Sequence, residues 1–473
     1  MQDVVRLGDD PAAGDGLQAS VAKMRAAGVS PAAIESFRRQ YERLRAGDTG
    51  KLAEDQLEPV GDLPELDALP GQGPAGASAL EEAVVIKLNG GLGTSMGLRG
   101  PKSLLQVKQG LTFLDVIVRQ VLELRRRSGA RLPLVLMNSF ATREETLAQL
   151  ERYPEIAADV PLEFIQNRVP KIRVADLEPV SWPADPGLEW APPGHGDLYT
   201  AIASSGMLDI LLGRGYRYAF VSNSDNLGAV FEPGILDWLA REQIPFVMEV
   251  TERAAADRKG GHIARLRGDG LVLRETAQTR EQDLDAFQDV RRHRFFNTNN
   301  LWLDLRALAA QLERSGGVLD LPVIVNRKTA DPSDPSSPAV IQLETAMGQA
   351  IQVFEEGRAL RVPRRRFAPV KTTNDLLAVR SDAFRLTEDG HVELAPERGD
   401  NPPLVDLDPT FYKLLGDFDT RFPAGPPSLV ACDRLTVVGD VAFGRDVVVR
   451  GSVEVEHRGD GQLRIADGAV LEG

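Results

Sequence analysis

Ala83-Val-Val-Ile-Lys-Leu-Asn-Gly-Gly-Leu-Gly-Thr-Ser-Met-Gly-Leu-Arg-Gly-Pro-Lys-Ser103 opens as a strand-length apolar run and then breaks into five glycines. A helical pattern follows over Phe113–Arg127. Strand, loop and helix in that order predict one unit of a parallel sheet. The alternation recurs outward from there. Apolar runs at Leu134–Met137, Tyr218–Val221 and Phe246–Val250 alternate with amphipathic stretches at Thr142–Leu150 and Pro233–Arg241. The expected fold class is therefore α/β, with a mostly parallel, doubly wound sheet. Such sheets bind ligands at the carboxyl ends of their strands.

On the amino-terminal side, residues 1–15 read as acidic and loose, and a helical hairpin follows. Ser30 is an apt N-cap, Pro31 suits the first helical position, and Ile34, Phe37, Tyr41 and Leu44 form a packing stripe. Residues 60–80 are rich in Gly, Pro and Ala and read as a connector. Downstream, Asp331–Pro338 is a turn-rich loop, after which the alternation resumes with Ala339–Leu343 and a helical stretch from Glu344. Arg361–Arg366 is basic and reads mainly as a surface patch. The proline cluster at residues 400–427 marks a boundary. Beyond it Leu435, Val441, Val447 and Val453 repeat every sixth residue, as do Val437, Phe443, Val449 and Val455. The pattern resumes at Leu463 and Ile465, then at Ala469 and Leu471. A six-residue apolar period predicts a parallel β-helix. Three parts result: a helical extension over 1–80, a body over 81–400 and a β-helix domain over 401–473.

Composition narrows the function classes. A chain of 473 residues at about 150 per domain gives two or three domains. Hydrophobic residues at 42% and charged residues at 26% fit an ordinary globular protein. No apolar run approaches the roughly 18 residues of a membrane span. The amino terminus has no basic region ahead of an apolar core, so the expected location is cytoplasmic. Cys432 is the only cysteine, which excludes a disulfide framework and a zinc cluster. The net charge of −14 argues against a nucleic-acid partner, and without an apolar span no membrane partner is expected. A phosphate site in this chain must rest on backbone dipoles and a few placed cations.

Five motifs carry candidate chemistry. In the glycine loop, amide N–H groups can cradle phosphate oxygens, and Lys102 adds a point charge. The spacing matches neither a P-loop nor the dinucleotide fingerprint, and a flexible glycine loop is the bland alternative. Pro192-Pro-Gly-His-Gly-Asp-Leu-Tyr199 sets His195 between two glycines in a stiff turn, with no regular face to pack on, which favours a ligand-facing ring. In Phe220-Val-Ser-Asn-Ser-Asp-Asn-Leu-Gly228 a strand ends near Asp225, where an α/β enzyme would hold a divalent cation; a turn or cap role is the alternative. The chain has no HExxH and no paired His and Cys ligands, so such a cation would be oxygen-ligated Mg²⁺ completed by substrate phosphates. Phe296-Asn-Thr-Asn-Asn-Leu-Trp302 and Lys259-Gly-Gly261 offer donors and acceptors suited to sugar hydroxyls. Lys371, within Val370-Lys-Thr-Thr-Asn-Asp-Leu-Leu377, stands at a helix start, where a phosphate is favoured.

Taken in order, these segments resemble the eukaryotic-type UTP–glucose-1-phosphate uridylyltransferase (UDP-glucose pyrophosphorylase) family. The likeness also takes in Leu136-Met-Asn-Ser139, Phe164-Ile-Gln-Asn-Arg168 and Val340-Ile-Gln-Leu-Glu-Thr345, and it runs from residue 84 to about 380. What the resemblance implies is a Rossmann-like, glycosyltransferase-A-like nucleotidyltransferase body that makes UDP-glucose and pyrophosphate from UTP and glucose 1-phosphate, reversibly and with Mg²⁺. By the same resemblance Leu88, Asn89, Gly90, Gly91, Lys102, Gln166, Gly194, Asp225 and Lys371 bind UTP. Within that set Gln166 and Gly194 read the uracil or its ribose, and Asp225 holds the metal. Gly90, Gly91, His195, Asn223, Gly261 and Asn299 then face glucose 1-phosphate, while Lys102 and Lys371 are catalytic. Other sugar 1-phosphates, a dinucleotide-dependent oxidoreductase and a non-catalytic nucleotide-sensing assembly module are the alternatives. Small molecules are the expected partners, with a possible homo-oligomer through the β-helix.

Overall fold

In the computed structural model the described residues are 16–70, 74–254, 257–399 and 401–473, so the expectation for residues 1–15 lies outside them. The chain divides into two units: Met1–Val84, Glu163–Val221 and Pro233–Val362 form the first, and Val85–Leu162, Ser222–Glu232 and Pro363–Gly473 the second. The architecture is mixed α/β with a mostly parallel sheet.

In the first unit the helical hairpin is present as Gly16–Ala26 and Pro31–Arg45. Ser30 caps the second helix by accepting from the Ala33 amide at 3.2 Å. Ile34, Phe37 and Tyr41 bury against Ile172, Leu177, Val323 and Leu343, and Leu44 joins at the edge. Each such large apolar side chain contributes about 1.5–3 kcal/mol when taken out of water. The strand Phe295–Asp304 runs antiparallel to Tyr218–Asn223 on one side and to Phe246–Glu252 on the other. Those two strands therefore share a direction, and Arg358–Arg361 adds parallel to Phe246–Glu252. Phe220 and Trp302 fix that register with ring centroids 4.7 Å apart.

Two local expectations change. The connector over 60–80 is not structureless, since it contains the helix Pro74–Glu81, which packs on Pro233–Glu242. The helical stretch expected from Glu344 begins later, as a 3-10 helix at Met347–Gln352. The strand Ala339–Glu344 runs on instead, because Thr345 is held extended: its N–H donates to the Pro193 carbonyl and its carbonyl accepts from Gly196, both at 2.9 Å. The loop over 331–338 closes a hairpin between Ile324–Thr329 and Ala339–Glu344, and hydroxyls of Ser333 and Ser336 tie it to Asp331 and Asp334.

In the second unit Ala83–Asn89 pairs in parallel with Leu134–Asn138 from Val85 onward, and the helix Phe113–Ser128 makes the connection. That helix starts on a Thr112–Asp115 capping box and stops at Gly129, whose φ of 74° suits a residue without Cβ. Towards the carboxyl end, Leu404–Leu407, Ser428–Val438, Val448–Glu456 and Val470–Glu472 pair successively in parallel. Leu435 lies beside Val453, Val437 beside Val455 and Phe443 beside Ile465. All eight residues of the two six-residue series are buried. Among the described residues no helix is long and apolar enough to cross a membrane.

Candidate functional site

Within the second unit, the glycine loop and the turn after Tyr218–Asn223 meet. The Ser224 amide donates to the Leu88 carbonyl at 3.1 Å, which sets the two strand ends side by side. Below them Lys87 is buried and donates to Ser222 Oγ and the Ala229 carbonyl, both at 2.7 Å, so this lysine is a structural tie. Asn89 is likewise committed, its Nδ2 donating to Asn138 Oδ1 at 2.8 Å and to Thr146 Oγ1 at 3.0 Å. Gly91 is exposed, and a Cβ there would face open space, so a ligand can approach the backbone closely. The loop folds back on itself, the Lys102 amide donating to the Gly91 carbonyl at 3.1 Å.

That return places Lys102 Nζ 2.7 Å from Asp225 Oδ2. The side chains are 15% and 22% exposed, open enough to exchange partners and sheltered enough for the charges to matter. Asp225 is also joined to the Lys371 segment, for its carbonyl accepts from the Val370 amide at 3.1 Å. Lys371 is exposed and sits just ahead of the helix Thr373–Arg380, with its own amide donating to Asp375 Oδ2 at 2.8 Å. Leu88, Asn89, Gly90, Gly91, Lys102, Asn223, Asp225 and Lys371 are thus gathered in one unit. Among the described residues no three His, Cys, Asp or Glu side chains converge as a metal cage. A single carboxylate beside phosphate-ready donors suits Mg²⁺, which keeps waters and substrate oxygens as its other ligands.

The first unit gathers the remaining expected residues. Gly194 adopts φ 80°, and a Cβ on it would lie 2.3 Å from the Thr345 carbonyl oxygen, so only glycine fits. His195 differs from expectation. It is partly buried rather than turned freely outward, because its Nδ1 accepts from the Met347 amide at 3.0 Å. With Nδ1 an acceptor, the proton resides on Nε2, and burial pulls the ring down to about 4. His195 therefore offers a neutral Nε2–H donor near pH 7, suited to a phosphate or hydroxyl oxygen. Gln166 precedes Asn167, whose amide and Nδ2 both donate to Asp197, at 2.6 and 2.9 Å. Asn299 takes φ 58° where the pairing with Phe246–Glu252 slips between Met248 and Val250. An asparagine in that strained region at an irregular strand fits a functional position. Asn299 and Asn297 bond each other, and the Asn297 amide donates to the Gly261 carbonyl at 3.0 Å. Asn300 and Trp302 face elsewhere and satisfy the buried Glu249. The asparagine run is thus only partly available to a sugar.

Sequence reasoning gave no role to Asp197, Asn226 or Met347. Asp197 and Asn226 lay inside quoted motifs, so their buried amide partners were the missing signal. Met347 acts through its backbone, which leaves no mark in composition.

Comparisons with known proteins give one consistent result. A family model described as UTP--glucose-1-phosphate uridylyltransferase matches residues 34–450. The enzyme of that name from Solanum tuberosum is 42% identical over 395 residues, covering 83% of this chain and 80% of its own. That from Saccharomyces cerevisiae is 42% identical over 402 residues, covering 85% and 79%. A crystal structure of a Leishmania major UDP-glucose pyrophosphorylase variant in complex with UDP-glucose superposes with a TM-score of 0.92 at 46% identity, covering 97% of this chain and 98% of that one. A Trypanosoma brucei structure described as UDP-glucose phosphorylase gives 0.91 at 47% identity, again covering 97% and 98%.

Proposed function

Because the chain belongs to the UTP–glucose-1-phosphate uridylyltransferase family, we propose that it converts UTP and glucose 1-phosphate to UDP-glucose and pyrophosphate, reversibly and with Mg²⁺. The observation that carries this reading is the 2.7 Å pairing of Lys102 with Asp225 at the glycine loop. A phosphate-ready cation and a metal-ready carboxylate share one spot there. Family membership disfavours the oxidoreductase and the non-catalytic module.

A phosphate oxygen of glucose 1-phosphate attacks the α-phosphorus of UTP in line, and the bond to the bridging oxygen of the β-phosphate breaks, releasing pyrophosphate. The attacking oxygen is already ionised, so no strong general base is needed, and positioning with charge neutralisation does most of the work. Lys102 and Lys371 stabilise charge developing on the α-phosphate and on the leaving pyrophosphate. Mg²⁺ held by Asp225 would supply further neutralisation of phosphate oxygens. Leu88, Asn89, Gly90 and Gly91 hold the nucleotide, with Gln166 and Gly194 reading the base or ribose. His195 donates from Nε2 to glucose 1-phosphate, and Asn223, Gly261 and Asn299 complete the sugar side.

We retain the division into an extension (1–80), a nucleotidyltransferase body (81–400) and a terminal domain (401–473), and read that last domain as a parallel β-helix. The six-residue apolar period and the parallel neighbours Leu435–Val453 and Val441–Leu463 support it. Self-association through this domain and a cytoplasmic location, suited to the lone buried thiol Cys432, belong to the same reading. A UTP-dependent pyrophosphate-release assay across glucose, galactose and N-acetylglucosamine 1-phosphates, with and without Mg²⁺, tests the reaction. Glucose 1-phosphate with Mg²⁺ should be turned over fastest. No release with any sugar would remove the assignment, and a preference for another sugar would move it to that substrate.

A further inference from the structure

Asn226 is buried at 5% exposure, next to Asp225, in a turn that has to do more than turn. The segment over 365–370, which delivers Lys371, lies antiparallel on residues 225–228, with Asn226 opposite Pro369. The pair is of the non-hydrogen-bonded kind, so the N–H that Pro369 lacks would point away from residue 226, and proline is tolerated there without loss to the ladder. Two backbone bonds flank it, from the Leu227 amide to the Ala368 carbonyl at 3.2 Å and from the Val370 amide to the Asp225 carbonyl at 3.1 Å. The Asn226 side chain adds to this clasp. Its Oδ1 accepts from the Ala368 amide at 2.9 Å and the Gly228 amide at 3.1 Å, and its Nδ2 donates to the Arg366 carbonyl at 3.3 Å. The fit is close throughout: a Cβ on Gly228 would lie 2.3 Å from the Arg365 carbonyl oxygen.

We propose that Asn226 is a positioning residue for the transfer reaction, acting by locking the 366–370 segment so that Lys371 stands beside Asp225. The proposal rests on the assignment of Lys371 to the reacting phosphates. Lys371 lies between two anchored points, with Val370 bonded to Asp225 before it and the Thr372–Asp375 capping box after it. Losing the Asn226 amide frees residues 366 and 368 and so loosens the segment that carries the first anchor, while the second stays intact. Aspartate could replace only the accepting half of the amide, since an ionised carboxylate cannot donate to the Arg366 carbonyl. Misplacement of a reacting group by about 1 Å can cost on the order of a hundredfold in rate.

The test is a double-mutant cycle on kcat and KM, with thermal melting beside it. Asn226→Ala should lower kcat about thirtyfold, with KM for UTP changed by less than about threefold. Asn226→Asp, which keeps the Oδ1 contacts, should recover part of that loss, and it replaces the alanine variant should the latter fail to fold. In a Lys371→Ala background, adding either change should cost no more than about twofold, because the group being positioned is gone. An equal fold-loss in both backgrounds, or a rise in KM with kcat preserved, overturns the positioning role. Wild-type turnover in Asn226→Ala with an inactive Lys371→Ala sinks this proposal alone. Wild-type turnover in Lys371→Ala sinks the assignment of Lys371, and this proposal with it.

Discussion

Lys371 and Asp197 show two ways in which a charged group earns its place. Lys371 is exposed and held by its backbone, so its side chain has little to do with folding. Lys371→Ala should therefore lower kcat by about a hundredfold or more and leave the melting temperature within a degree or two. Near-normal turnover would exclude it from the chemistry. Asp197 is the opposite case. Burial pushes its carboxyl up to about 7, against the two Asn167 donors that favour its charged form. The unfolded chain releases that proton near pH 4, so between about 4 and 7 the folded state holds the extra proton. Stability contributed by this group is thus lost as pH rises through that window. Asp197→Asn should flatten the decline of melting temperature between pH 5 and pH 8. A slope unchanged from wild type would show that Asp197 is not the titrating group.

At the scale of elements, the helix Thr373–Arg380 follows directly on Lys371 and is restrained at both ends. The Thr372–Asp375 box caps its start, while at its end buried Lys108 donates to the carbonyls of Val379, Arg380 and Ser381. An ammonium on the last carbonyls satisfies groups that the helix leaves unpaired and opposes the negative end of its dipole. Burial brings Lys108 down to about 8, so at neutral pH it remains charged. Lys108→Met should destabilise the protein by about 1–3 kcal/mol, seen as an earlier urea midpoint. An unchanged midpoint would mean that water replaces the ammonium at no cost. These two restraints differ in how far the sequence reveals them. The capping box is written in neighbouring residues, as were the strands and helices from Ala83 to Phe246, because period and caps are local. Lys108 on helix Thr373–Arg380, Met347 under His195 and Thr345 against Gly194 are joined across long stretches of chain through backbone groups. No residue pattern announces a carbonyl or an amide, so these contacts were beyond a reading of the sequence alone. The extension of the strand through Glu344 escaped notice for the same reason, since the carbonyl and amide that hold Thr345 belong to a distant turn.

For the whole molecule the decisive number is the net charge of −14, which opposes every anionic substrate at distances shorter than a Debye length of roughly 8 Å in physiological salt. Local cations must offset that charge, and one of those at the glycine loop, Lys102, is already engaged internally with Asp225. That contact makes two binding equilibria interdependent. A cation arriving at Asp225 alone must displace an ammonium, and an anion arriving at Lys102 alone must displace a carboxylate. When both arrive, the same ion pair is broken only once. Thermodynamic reciprocity then requires each ligand to raise the affinity of the other by an equal factor. Calorimetry on the wild-type protein should find weak Mg²⁺ binding that strengthens about tenfold with UTP, whereas Lys102→Ala should bind Mg²⁺ more tightly on its own and lose most of the enhancement. Equal Mg²⁺ affinity in the two proteins would exclude the coupling. One hydrogen-bonded ion pair would in this way act as a coincidence detector, answering to metal and nucleotide together and resisting either by itself.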